Sequence, residues 1–235
     1  MQTVRKNSVQ NEVYKILREG IISLRLEPGT VMSTQEMADN LNVSRTPVRE
    51  AFIRLHEEGL VKIVPQKETI VSRIDMERVL QERFIRESLE LAVIDPFLDN
   101  CSPGALEEIK RTVMEQKKCR DEFRCADFIS MDDQMHRIFF VEADKKLAWD
   151  TLKGVSGHDF RYRVLAVQKR EIIDSVIAQH ERIIALIEEG KKEEVRSELI
   201  HHLQKIRIEK KELQDLYPDY FLNEENKAGF RVGRL

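Results

Sequence analysis

The chain has 235 residues, with 39 Lys and Arg against 42 Asp and Glu and a formal net charge of −3. This length leaves room for two domains with separate cores. No apolar run approaches the roughly 20 residues of a membrane span, and no secretory signal peptide is visible. The three cysteines (Cys101, Cys119 and Cys125) are odd in number and lack metal-binding spacing, which fits reduced thiols. We therefore expect a cytoplasmic protein that has no membrane partner.

The first 74 residues predict three short helices and a β-hairpin. Apolar residues recur at helical spacing from Val13 to Leu24. Ser33 to Glu36 has the sequence of a capping box, which predicts a short second helix. Beyond a third helix, residues 61–71 have the pattern of a hairpin with a polar tip at 65–69. This order of elements predicts a winged helix-turn-helix.

The third helix begins at Ser44, whose hydroxyl is expected to cap it, and has Pro47 in its first turn. Arg45, Thr46 and Arg49 lie together on the first two turns, where the helix dipole favours phosphate. The residues expected to anchor the other faces are apolar: Val48, Ala51, Phe52, Ile53 and Leu55. Such a helix is suited to enter a DNA groove. The alternative is a small helical domain with incidental surface arginines, since residues 1–74 carry only 11 Lys and Arg against 9 Asp and Glu.

Three segments resemble the DNA-binding domain of GntR-family transcriptional regulators: Pro28-Gly29, Val43 to Ala51, and Glu58 to Val61. The resemblance implies that the recognition-helix side chains and the wing tip contact an operator. Two positions depart from the family pattern, because Gln35 stands where an arginine is common and Glu68 stands where the wing normally has a glycine. We expect Lys67 to compensate for Glu68. The expected DNA-binding residues are Gln35, Ser44, Arg45, Thr46, Arg49 and Lys67.

The sequence pattern of residues 75–215 predicts an antiparallel, all-α bundle. We expect this domain to bind an effector and a metal and to form the dimer. The chain beyond residue 74 carries a net charge of −5, so this part is not expected to bind DNA. The apolar periodicity predicts six helices, at about 75–98, 103–123, 126–143, 145–165, 169–189 and 191–215. Residues 216–235 lose the periodicity and are expected to form a tail that is partly disordered or irregularly docked.

Four side chains of the predicted bundle are of metal-binding types, and their spacing places them on helix faces that point into the core. Asp132 and His136 lie one turn apart on a helix face that is otherwise apolar. His180 and His202 fall on the inward stripes of the last two helices, at about the same level of an antiparallel pair, whereas His201 is expected to face solvent. One carboxylate and three imidazoles around one core suit a divalent transition metal. The alternative is that each histidine is a hydrogen-bonded core residue.

The same set is similar to the metal site of the FCD domain, which is found in the FadR-like branch of the GntR family. That domain has an Asp-x-x-x-His pair and two later histidines, and the resemblance extends over about residues 10–210. It implies that Asp132, His136, His180 and His202 hold Zn, Ni or Mn. It also implies that a small organic acid binds beside the metal.

Arg86 and Glu90 fit a further family pattern, Arg-x-x-Leu-Glu, on the first helix of this domain. Arg86 could pair with a carboxylate of the effector or with Glu90 one turn away, and both interpretations stay open. His158, Arg161 and Arg163 could line the same cavity, although a solvated face is the more usual place for such residues.

These features predict a homodimeric transcriptional regulator, a repressor, whose two winged helices read a palindromic operator in double-stranded DNA. A small organic acid bound beside the metal would change the affinity for the operator. Two alternatives stay open. One is a metalloenzyme in which the metal activates water, although no acid-base group stands out beside the four ligands. The other is an architectural DNA-binding protein with a structural metal.

Overall fold

The computed structural model describes residues 2–65, 67–204 and 210–223. In these residues the helices are α1 (Gln2–Ile22), α2 (Thr34–Asn40), α3 (Arg45–Glu57), α4 (Met76–Asn100), α5 (Pro103–Asp121), α6 (Cys125–Glu142), α7 (Lys146–Val155), α8 (Gly157–Ala166), α9 (Arg170–Glu188), α10 (Lys192–Gln204) and α11 (Lys210–Leu216). The strands are β1 (Val31–Met32), β2 (Val61–Val64) and β3 (Glu68–Val71). None of the described helices is both long and apolar enough to cross a membrane.

The chain divides into two compact units. One contains the described residues up to Val79 together with those from Gln214 onward, and the other runs from Leu80 to Leu213. Each unit has its own apolar core.

The first unit is a winged helix-turn-helix, as the sequence predicts. Strands β2 and β3 form an antiparallel hairpin, and β1 pairs with β3 on its other side. The N-cap bond of the predicted capping box is present, since the Ser33 hydroxyl accepts a hydrogen bond from the Glu36 amide at 3.0 Å. Two expectations for α3 were wrong. Ser44 occupies the N-cap position but its hydroxyl makes no capping bond, and Ile53 does not anchor the helix because it is 51% exposed.

The last described residues belong to this first unit. Phe221 is buried and forms a parallel bridge with Ile74: the Ile74 amide donates to the Tyr220 carbonyl at 2.8 Å, and the Leu222 amide donates to the Ile74 carbonyl at 3.0 Å. This part of the predicted tail is therefore docked. Residues 224–235 of the tail lie outside the described residues.

The second unit is an all-α bundle, which confirms the predicted fold class, but one of the predicted helices differs. The helix expected at 145–165 is two helices, because the chain turns at Ser156 between α7 and α8. In the segment expected at 191–215, the structure describes α10 (Lys192–Gln204) and α11 (Lys210–Leu216), and residues 205–209 lie outside the described part. The turn between α9 and α10 is the one expected, since Gly190 has a φ of +69°, a value that glycine adopts without strain.

Candidate metal centre and DNA-binding surface

The four predicted metal ligands come together inside the second unit. Helix α6 carries Asp132 and His136, α9 carries His180, and α10 carries His202; all four side chains are buried. Their ligand atoms lie within 4.8 Å of one another. The Nε2 atom of His202 is 3.2 Å from Nε2 of His136 and 3.4 Å from Nε2 of His180. The Oδ1 atom of Asp132 is 3.4 Å from Nε2 of His180. His201 is exposed, as expected.

Each of the three imidazoles in this cluster has an oxygen atom next to its Nδ1 atom. The Nδ1 atom of His136 contacts the Glu90 carboxylate, Nδ1 of His180 lies 2.8 Å from Oε1 of Gln116, and Nδ1 of His202 lies 3.3 Å from Oε1 of Gln179. Because these oxygens accept hydrogen bonds, each Nδ1 carries the proton. All three Nε2 lone pairs are then left for the shared centre. None of these three acceptors was predicted from the sequence.

This donor set fits a divalent metal ion. Two nitrogen ligands at about 2.0–2.1 Å from a tetrahedral zinc are separated by about 3.3 Å, close to the separations among the Nε2 atoms. Burial, opposed by Asp132, lowers the pKa of His180 to about 4. Burial, and then His180 and His136, hold the pKa of His202 well below its ordinary value. These two imidazoles are therefore neutral near pH 7, the form that binds a metal.

Arginines surround the outer side of Asp132. Its Oδ2 atom accepts hydrogen bonds from Arg163 at 2.8 Å and from Arg86 at 3.1 Å. The same two arginines reach Oδ1 of Asp133, at 2.8 Å and 3.3 Å. Arg86 also donates to Glu90 at 2.6 Å, so the salt bridge one turn away, one of the two interpretations left open by the sequence, is present. Arg86 thus donates hydrogen bonds to three acidic side chains: Glu90, Asp132 and Asp133.

Helix α8 corrects the interpretation of its basic residues as a solvated face. His158, Arg161 and Arg163 are all buried, and every residue of α8 is buried. Arg163 donates to Asp159 at 3.0 Å as well as to the Asp132 and Asp133 carboxylates. Arg163 therefore belongs to the ion-pair network around the metal centre.

The buried carboxylates of the network are ionised. Burial alone would raise the pKa of Asp132, but the charge of His136 when its imidazole is protonated, together with the charges of Arg86 and Arg163, outweighs burial and holds this pKa well below its ordinary value. Burial is likewise outweighed by His136 and Arg86 at Glu90, whose pKa is lowered. A negative Asp132 facing three imidazole lone pairs is a favourable environment for a cation.

A small cavity of about 30 Å³ adjoins the centre; its lining includes Arg86, Phe128, Asp132, Arg163, Val176 and His202. This volume accommodates about one water molecule. A carboxylic acid larger than that requires some of the lining side chains to move.

The predicted DNA contacts lie on the surface of the first unit. Ser44, Arg45, Thr46 and Arg49 are exposed at the start of α3. A groove of about 570 Å³ runs between α3 and the hairpin, and its lining includes Arg49, Ile53, Lys67 and Glu68. Exposed Ile53 thus faces the groove rather than the core.

Gln35, the residue at the family's usual arginine position, is also exposed. Its Nε2 atom donates to Asp39 on the next turn of α2 at 2.7 Å. This bond uses one of the two N–H donors of the amide, so a contact with DNA does not require it to break.

Two family models match the chain. Residues 9–71 match the bacterial regulatory proteins of the gntR family, and residues 83–205 match the FCD domain, which is more than half of the chain. The chain belongs to the GntR family. It is therefore a DNA-binding transcriptional regulator with an FCD domain, which confirms the resemblance seen in the sequence.

Related GntR-family proteins are similar along most of the chain. The HTH-type transcriptional repressor RspR of Escherichia coli K12 is 30% identical over 216 residues, covering 92% of this chain and 95% of RspR. The gluconate operon transcriptional repressor of Bacillus subtilis 168 is 29% identical and covers 73% and 72% of the two chains. These names indicate a regulator rather than an enzyme.

Solved structures share the fold. The E. coli McbR/YncC structure has a TM-score of 0.73 at 18% identity and covers 89% of this chain and 98% of its own. A transcriptional regulator GntR from Rhodococcus sp. RHA1 also has a TM-score of 0.73, at 19% identity, and covers 89% and 99%.

Proposed function

We propose that the protein is a repressor whose operator binding is controlled by a small carboxylic acid bound beside a divalent metal in the FCD domain. The observation that carries this proposal is the convergence of Asp132, His136, His180 and His202, with two arginines on the far side of Asp132. Repressors among the relatives support the direction of control. A repressor acts on chromosomal DNA, so we place it in the cytoplasm.

The metal would be held by the Asp132 carboxylate and the three histidine Nε2 atoms. Zn, Ni and Mn all accept such oxygen and imidazole ligands. When bound, the metal supplies a positive centre that attracts an anionic effector. The surrounding residues fix the imidazoles and keep the centre buried.

The effector would be recognised by Arg86, with Arg163 beside it. A guanidinium pairs well with a carboxylate through two parallel hydrogen bonds. In this structure both arginines bind Asp132 and Asp133, and the adjoining cavity has room for about one water molecule. Effector binding would therefore replace the protein carboxylates bound to the two arginines with the carboxylate of the ligand. This exchange would shift the helices that carry the arginines, α4 and α8.

The working form would be a homodimer that binds a palindrome, because a two-fold protein presents two identical recognition helices. Helix α4 has exposed apolar side chains on one face: Leu80 (49% exposed), Phe84 (69%) and Ile85 (37%). An exposed apolar stripe of this kind is typical of an interface. We propose that a second copy of the chain covers it.

Operator binding by metal-loaded protein tests this function directly. Fluorescence anisotropy with DNA from the gene's own promoter would be measured at fixed salt, with and without each of a panel of small carboxylic acids. We expect one acid to weaken binding about 5- to 150-fold, and we expect Arg86→Met to abolish that response. An operator affinity that no acid changes would contradict control by a carboxylate.

A further inference from the structure

The three side chains whose oxygen atoms accept from the histidine Nδ1 atoms differ in their other hydrogen bonds. Glu90 also accepts from Arg86 at 2.6 Å, and the Gln179 amide also donates to His201 at 3.1 Å. Gln116 on α5 is different. It is fully buried, its Oε1 accepts from Nδ1 of His180 at 2.8 Å, and its Nε2 has no hydrogen-bond partner in the part of the chain that the structure describes.

A buried amide N–H without a partner destabilises a fold, because the group has lost its hydrogen bonds to water. An apolar side chain of similar size would fill the same space without that loss. Gln116 shares the buried face of α5 with apolar Ile109 and Val113, and with Thr112, whose hydroxyl donates to the Ile109 carbonyl at 2.7 Å. Packing alone therefore does not account for a glutamine at this position.

The geometry points to Gln116 as a positioning residue for the metal centre, a role that rests on the proposed metal binding. Its Oε1 keeps the proton of His180 on Nδ1. The His180 Nε2 lone pair then faces His202 and Asp132, each at 3.4 Å. Acceptors of this kind behind metal-binding histidines set both the tautomer and the ring orientation.

The polarity of the amide matters as much as its position. If an N–H instead of Oε1 faced His180, the imidazole would accept that hydrogen bond at Nδ1 and carry its own proton on Nε2. An Nε2 that carries a proton cannot bind a metal. The unpaired Nε2 of Gln116 is thus the consequence of directing Oε1 at His180.

Two variants separate positioning from packing. Gln116→Met keeps the length of the side chain and removes the acceptor, whereas Gln116→Glu keeps an acceptor and buries a charge. Zn²⁺ affinity of the full chain would be measured by competition with a chelating indicator, and urea unfolding would be measured in EDTA. Gln134→Met is the control for the substitution itself, because Gln134 pairs with Glu108.

We expect Gln116→Met to bind Zn²⁺ about 10- to 100-fold more weakly, with an unfolding midpoint of the metal-free protein that is unchanged or higher. We expect Gln116→Glu to keep the affinity within about threefold, although burial of its charge lowers the midpoint. The Gln134→Met variant should bind Zn²⁺ like the wild type.

Equal Zn²⁺ affinity in Gln116→Met and the wild type would overturn this role. It would also be overturned if both Gln116 variants lost affinity in proportion to their loss of stability, because that is the result of a purely structural role. If the wild-type chain itself takes up no Zn²⁺, the proposed metal site is wrong and the role falls with it.

Discussion

The Glu90 carboxylate accepts a hydrogen bond from Nδ1 of His136. Its other oxygen accepts from Nε of Arg86 at 2.6 Å. One buried anion therefore connects a proposed metal ligand to the proposed effector-binding arginine. His136 and Arg86 are both donors, so each oxygen of the carboxylate is needed to accept one of the two hydrogen bonds.

Glu90→Gln should weaken Zn²⁺ binding about 10- to 100-fold. The amide has a single acceptor atom, so it can satisfy Arg86 or His136 but not both. If the oxygen turns to Arg86, an N–H faces His136 and stabilises the tautomer that cannot bind a metal. Chelator competition on the full chain measures the effect.

The matched control is Glu82→Gln, which changes a buried carboxylate on the same helix. Glu82 accepts from the backbone amide of Asp159 at 2.7 Å. We expect this variant to bind Zn²⁺ like the wild type. Equal losses of affinity in the two variants would point to a general effect of removing buried charge and would refute the specific role of Glu90.

Arg49→Ala should weaken operator binding by about 1–3 kcal/mol and relax the sequence preference, if Arg49 contacts a base edge. Arg49 is exposed at the start of the recognition helix and lines the groove beside the wing. Lys67→Ala should instead weaken binding to all sequences alike and reduce the salt dependence, as expected for a phosphate contact. Anisotropy titrations with operator and scrambled DNA at two salt concentrations distinguish the two roles. An Arg49→Ala affinity equal to that of the wild type would exclude Arg49 from the contact.

Local sequence patterns were sufficient to predict the winged helix, and helical phase was sufficient to place the four predicted ligands on inward helix faces. Asp132, His136, His180 and His202 each interrupt an apolar stripe, and such a stripe fixes the direction of a side chain. Glu90 gives a similar signal, because it precedes buried Ile94 by one turn. That signal could have identified Glu90 as an inward residue.

Other parts of the site could not be predicted in this way. Every residue of α8 is buried, so this helix has no contrast between an apolar and a polar face, and its arginines resemble a solvated surface. The partners of Gln116 and Arg163 also depend on how separate helices are rotated against each other. The sequence of one helix does not contain that information.

Phe84→Glu should weaken self-association at least about tenfold, because it places a charge in the proposed apolar interface on α4. Leu147→Glu is the control, since Leu147 is 80% exposed on α7 among exposed residues that are polar or glycine. Sedimentation equilibrium measures the dimer dissociation constant of both variants. If Phe84→Glu associates as tightly as the wild type, the second copy does not cover this face.

Tyr14 should make the stability of the protein sensitive to alkaline pH. Burial, and then the hydrogen bond to Glu58, raises the pKa of Tyr14 to about 12. The unfolded tyrosine ionises near pH 10, so the folded state gains stability from neutral Tyr14 below pH 10 and loses it as the pH rises through 12. Urea unfolding at pH 9 and pH 11 should show that the advantage of the wild type over Tyr14→Phe shrinks at the higher pH. A constant difference would contradict the raised pKa.

We propose that the four buried side chains form one metal site. Equilibrium dialysis of the full chain with Zn²⁺, followed by elemental analysis, tests it most directly. We predict one tightly bound ion per chain, loss of that ion in the His180→Ala, His202→Ala double variant, and its retention in His201→Ala, because exposed His201 lies outside the cluster. A wild-type chain without bound ion, or a double variant that keeps one ion per chain, would show that these side chains do not form a metal site.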